Sequence, residues 1–148
     1  MKGISMFIVA ALASAAGFFI HVVAAESVHL WVAGQMEGRQ VIPSWDVRQI
    51  AMITSIEYGI AITVIYMLIR EKLYKLGKIG AAFVLSAILL SLQGALIRQP
   101  LMDWAIGNPF YVSLVQNGFK WLVWLVMALV IVLGVEYFSS KQIDNGQP

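Results

Sequence analysis

The sequence predicts an all-α membrane protein: a four-transmembrane-helix bundle, N-in/C-in, with a short interfacial helix between spans three and four. Three observations carry this. Of 148 residues, 60% are hydrophobic and only 12% charged, against about 25% charged in soluble domains, and the mean hydropathy is +0.81. Four apolar stretches, about residues 4–25, 49–69, 79–97 and 118–138, each come close to the roughly 20 residues that cross hydrocarbon. The connection between the second and third is strongly basic, with Arg70, Lys72, Lys75 and Lys78. Four spans and their connections use nearly the whole length, so residues 1–148 read as one integral membrane domain.

The first span is expected over Ile4 to Ala25. Lys2 followed by an apolar run resembles a secretory signal in layout, but the run is longer than the usual core of about 7 to 15 residues, so it reads as an uncleaved span. Ala10, Ser14, Gly17 and His21 recur at helical spacing and form a stripe of small and polar groups suited to close helix approach. Residues 26–47 are polar and broken by Gly34, Gly38 and Pro43, which predicts an external loop. Ser44 offers an N-cap to the second span, with Asp46 placed favourably in the first turn.

Arg70 to Lys78 makes a short turn into the third span. Lys2, this connection and Lys141 put six basic residues on one side, whereas Arg39, Arg48, Arg98 and Lys120 fall on the other. By the positive-inside rule both termini and the basic connection are cytoplasmic, and a bacterial cytoplasmic (inner) membrane suits this pattern. Between the third and fourth spans, Pro100 fits a first helical turn, Gly107-Asn108-Pro109 fits a stop, and Trp104 and Tyr111 fit an aromatic belt. These predict the short interfacial helix. The tail from Ser139 to Pro148 is polar.

The composition also excludes function classes. The chain has no cysteine, which removes disulfides, thiolate metal sites, iron-sulfur clusters and thiol nucleophiles. A pI near 9.0 does not imply nucleic acid, because the basic residues sit at membrane ends rather than on a soluble face. His21, Glu26 and His29 are metal-ligand types, but on one helix the two histidines are about 12 Å apart at 1.5 Å per residue, too far to share an ion. No metal and no cofactor is expected. No phosphate loop, nucleophile elbow or HExxH signature is present.

Glu57 is the residue that points to a site. It lies inside the second apolar stretch, where an ionised carboxylate costs about 2.5 to 3.5 kcal/mol on insertion scales and must face protein, water or a partner. Thr54, Tyr58 and Ala61 share its face, and Ser55, Gly59 and Thr63 form the neighbouring stripe. Topology puts His21, Gln93, Arg98, Asn117 and Lys120 in the same external half, so an outward-facing polar pocket centred on Glu57 is expected, drawing on His21, Thr54, Tyr58, Gln93, Arg98, Asn117 and Lys120. Glu136 reads as an interfacial charge beside Tyr137 and Lys141.

Three functions fit these features. The first is a non-enzymatic subunit of a homo-oligomer or of an assembly with other membrane subunits, its small-residue stripes favouring helix association. The second is a proton- or cation-coupled transporter or channel working through Glu57. The third is an intramembrane enzyme acting on a lipid or isoprenoid, with Glu57 as acid or base. In each the lipid bilayer is the surrounding partner, and no nucleic-acid partner is expected.

Overall fold

The computed structural model describes residues 3–35, 49, 52–53, 56–105 and 107–144. All its elements are helical. We number them α1 (Gly3–Ala24), α2 (Leu30–Gln35), α3 (Ile56–Leu73), α4 (Gly77–Leu92), α5 (Arg98–Ala105) and α6 (Phe110–Asp144). A π-helical turn over Ala25–His29 joins α1 to α2, and a 3₁₀ turn over Tyr74–Leu76 precedes α4.

Among the described residues, three helical stretches are long and apolar enough to cross a membrane: Gly3–Gln35, Ile56–Leu92 and Phe110–Lys141. The second is not one straight rod. Gly77 has φ +72°, a conformation that side chains rarely tolerate, and it reverses the chain. Pairings along α6 show the result. Tyr58 packs edge-on against Trp124 and Tyr66 bonds to Glu136, so α3 runs parallel to α6. The Trp121 indole N–H donates to the Ala95 carbonyl at the far end of α4, so α4 runs back antiparallel to α6. Val9 sits against Gly134, Gly17 against Met127, and the Tyr111 hydroxyl donates to Gln35 Oε1, so α1 and α2 line α6 in the opposite direction.

The bundle closes on a dry core. Val9 and Ala13 from α1, Ile62 and Tyr66 from α3, Ala82, Leu85 and Leu89 from α4, and Met127, Ile131 and Val135 from α6 are buried together. Small residues set the spacing. A Cβ on Gly59 would collide with Ser14 Oγ and the Ala10 carbonyl oxygen, so α1 and α3 cross nearly backbone to backbone. The small stripes therefore work inside the chain: Ala10, Ser14 and Gly17 of α1, and Gly59 and Thr63 of α3, are buried in intramolecular packing. Outward, large apolar side chains form a belt, including Phe7, Leu12 and Phe19 on α1, Leu68 on α3, Ile79 and Phe83 on α4, and Leu122 and Leu133 on α6. Apolar groups facing outward all round, over helices of this length, mark a membrane protein.

Boundaries differ from the sequence expectation in three places, each for a local reason. The first helix does not stop at Ala25; it continues through the π turn to Gln35, because Val28 and Val32 bury against Val112 and Phe119. The third helix stops at Leu92 rather than Ile97. Gly94 has φ +67°, and the Ala95 and Gly94 amides bond to Leu90 and Ser91 carbonyls, the bond pair of a Schellman termination. The last helix begins at Phe110, eight residues earlier than expected, and reaches Asp144. The short helix α5 lies where expected and ends in a second Schellman motif, with Gly107 at φ +90° and the Gly107 and Asn108 amides bonding to Trp104 and Asp103. Ser44 and Asp46 lie outside the described residues.

Candidate functional site

Two buried polar layers interrupt the apolar bundle, one toward each end of α6. The first is built on Glu136, whose side chain is 5% exposed. Arg70, at the end of α3, grips it with two hydrogen bonds, Nε to Oε1 at 2.5 Å and Nη2 to Oε2 at 2.7 Å. The Tyr66 hydroxyl, one helical turn earlier, donates to Oε1 at 2.9 Å. The Arg70 side chain is 37% exposed, so the pair is enclosed on the carboxylate side and more open on the arginine side. Bidentate guanidinium geometry fixes direction as well as charge, and here it locks α3 to α6.

The second layer joins α5 to α6. Asp103 is 8% exposed and Asn117 is fully enclosed. Gln99, one turn before Asp103 on α5, donates Nε2 to Asp103 Oδ1 at 2.7 Å. Asn117 Nδ2 donates to Asp103 Oδ2 and to the Ser113 carbonyl, both at 2.8 Å. Ser113 Oγ donates to the Pro100 carbonyl at 3.3 Å. Asn117 Oδ1 is buried without a partner. α5 is thus amphipathic in an unusual sense: Gln99 and Asp103 turn toward the bundle, whereas Leu101, Met102 and Trp104 are exposed. Together with Ile97 and Ala105 these residues line an open apolar depression of about 630 Å³.

The expected site residues distribute unevenly over this frame. Asn117 is at the heart of the second layer. Glu57 is exposed in the first turn of α3. Tyr58 is exposed and packs edge-on to Trp124 at 5.7 Å between ring centroids. His21, Gln93 and Lys120 are exposed. Thr54 lies outside the described residues, as does the side chain of Arg98, whose backbone opens α5. Glu136, expected as an interfacial charge beside Tyr137 and Lys141, is buried and bonded instead to Tyr66 and Arg70. The sequence gives little sign of Asp103 and Gln99 as site residues, because α5 is short and its acid lies among residues typical of a loop. Their spacing of four is the signal that links them.

Among the described residues no group of three or more His, Cys, Asp or Glu side chains is arranged to hold a metal ion. Comparison with family models, curated proteins and solved structures gave no match.

Proposed function

We propose that this chain is a four-crossing integral membrane protein, with both termini and the basic turn cytoplasmic, that serves as a subunit of a homo- or hetero-oligomeric membrane assembly through the face of α3 bearing Glu57. The fold-back at Gly77 supplies the second and third crossings from one apolar stretch. A bacterial inner membrane suits the distribution of Lys and Arg.

Depth supports the reading. Glu136 follows Asn117 by 19 residues on α6, about 28 Å at ~1.5 Å per residue, which matches a hydrocarbon core of about 30 Å. The two polar layers then stand at the two membrane boundaries. Glu57 precedes Tyr66, the partner of Glu136, by nine residues on α3, about 13 Å, so it sits near mid-depth. The observation that carries the proposal is that Glu57 is exposed on the outside of the bundle at this level. A carboxylate left against acyl chains is expensive, and a neighbouring subunit that offers a donor or a cation removes that cost. The small stripes do not add support, since the chain uses them internally.

Particle mass tests this. Extracted with its native lipids into polymer-bounded discs, the wild-type protein is expected as a particle holding more than one chain, and Glu57→Leu shifts the population toward single chains by roughly tenfold, about 1.4 kcal/mol. Wild-type particles holding one chain and no other protein would sink the proposal. A carboxylate at mid-depth also suits a proton or cation relay. On that second reading Glu57→Gln abolishes flux in reconstituted vesicles while particle mass stays the same.

A further inference from the structure

We propose that Asp103, Asn117 and Ser113 form a binding site for a small monovalent cation of sodium size, held between α5 and α6. This is independent of the subunit reading, since none of these residues lies on α3.

The argument is a count of donors and acceptors. Asn117 has two N–H donors and both are spent, on Asp103 Oδ2 and the Ser113 carbonyl. Both of those neighbours are acceptors only, so the amide orientation is fixed: reversing it would set Oδ1 against a carboxylate and a carbonyl. Oδ1 is therefore committed to the remaining direction, where it is buried and unpartnered. The Gln99 amide donates to the carboxylate, and the Ser113 hydroxyl spends its proton on the Pro100 carbonyl. What remains is acceptor capacity alone: Asn117 Oδ1, the unused lone pairs of the Asp103 carboxylate, and those of Ser113 Oγ. A buried amide oxygen without a partner costs about 1 to 3 kcal/mol, and a species that brings positive charge and needs oxygen ligands removes this cost at Oδ1.

Distance permits one ion to reach both side chains. Oδ1 and Nδ2 of a single amide are about 2.3 Å apart, and Nδ2 lies 2.8 Å from Asp103 Oδ2. Oδ1 and Oδ2 are thus separated by no more than about 5 Å, which an ion with oxygen contacts near 2.4 Å spans. Charge selects the class. One carboxylate balances one positive charge, whereas the divalent hard cations draw on several carboxylates or retain much of their water.

The test uses the full chain in lipid nanodiscs, with thermal unfolding followed as sodium chloride replaces choline chloride at fixed ionic strength and pH. We expect a saturable rise in Tm that choline does not give, as binding to the folded state alone requires. Ser113→Ala, which removes one ligand oxygen and leaves Asp103 and Asn117 in place, shifts the half-saturating sodium concentration upward at least fivefold. Asp103→Asn abolishes the response. Melting of each variant in choline alone separates damage to folding from loss of the ion. A sodium effect that choline reproduces, or one unchanged in both variants, overturns the site. So does the absence of any saturable sodium response in the wild-type chain.

Discussion

Glu136 shows what burial does to a single charged side chain. Its carboxylate accepts three hydrogen bonds from two residues of α3, and each loss has a different cost. Tyr66→Phe keeps the ring packing and removes one bond to a charged acceptor, so we expect about 1.5 kcal/mol of destabilisation. Arg70→Ala leaves a buried carboxylate uncompensated. Removing one partner of a buried pair costs about 3 to 5 kcal/mol, and the half-open cationic side, where water can partly substitute, places the expectation at roughly 3. Unfolding in mixed micelles of rising sodium dodecyl sulfate measures both. If Arg70→Ala costs less than Tyr66→Phe, the ion pair does not hold α3 to α6. The pair was within reach of the sequence, since Arg70 and Glu136 end two spans that positive-inside counting sends to the same side. What the sequence lacked was the rotation of each helix about its axis, which decides whether two residues at the same depth face one another.

At the scale of elements, α1 and α3 cross in close backbone contact at Gly59. Gly59 has a backbone carbonyl where its Cβ would stand, so Gly59→Ala must push two helices apart, and overpacking of this kind costs about 1 to 3 kcal/mol. Gly17→Ala collides with the Met127 side chain, which can rotate away, and touches Val123 only at ordinary contact distance. We expect the Gly59 variant to lower the unfolding midpoint clearly more than the Gly17 variant in the same micelle titration, and equal effects would argue against the close crossing. The small-residue spacing was legible as a signal for helix association. Whether the association is within the chain or between chains was not, because Ala, Gly and Ser permit close approach to any helix. The reversed amphipathicity of α5 has a similar origin: Gln99 and Asp103 turn inward because α6 presents Asn117 and Ser113 there.

At the scale of the whole molecule, the proposed four crossings rest on the hairpin at Gly77. Four crossings require Lys75, in the 3₁₀ turn, and Asn108, between α5 and α6, to lie on opposite sides of the membrane. The chain contains no cysteine, so Lys75→Cys and Asn108→Cys give clean single-thiol reporters. With an impermeant maleimide applied to intact cells, Asn108→Cys is expected to label and Lys75→Cys only after permeabilisation. Labelling of both from one side would remove the four-crossing topology while leaving the helix pairings untouched.

The sequence by itself determined that the chain is helical and belongs in a membrane, because hydropathy sums over a segment and does not depend on what the segment touches. It also placed the break at Gly107-Asn108-Pro109 and the turn at the basic connection, since backbone freedom and charge act locally, but it carried the third helix past Gly94, where the chain in fact turns. Only the tertiary structure decided that Glu136 is buried against Arg70, that Asp103 meets Asn117, and that Glu57 turns outward. Those outcomes depend on the azimuth of each helix, which is set by packing of the small faces around α6. The apolar faces supply too weak a rotational signal, being apolar almost all the way round.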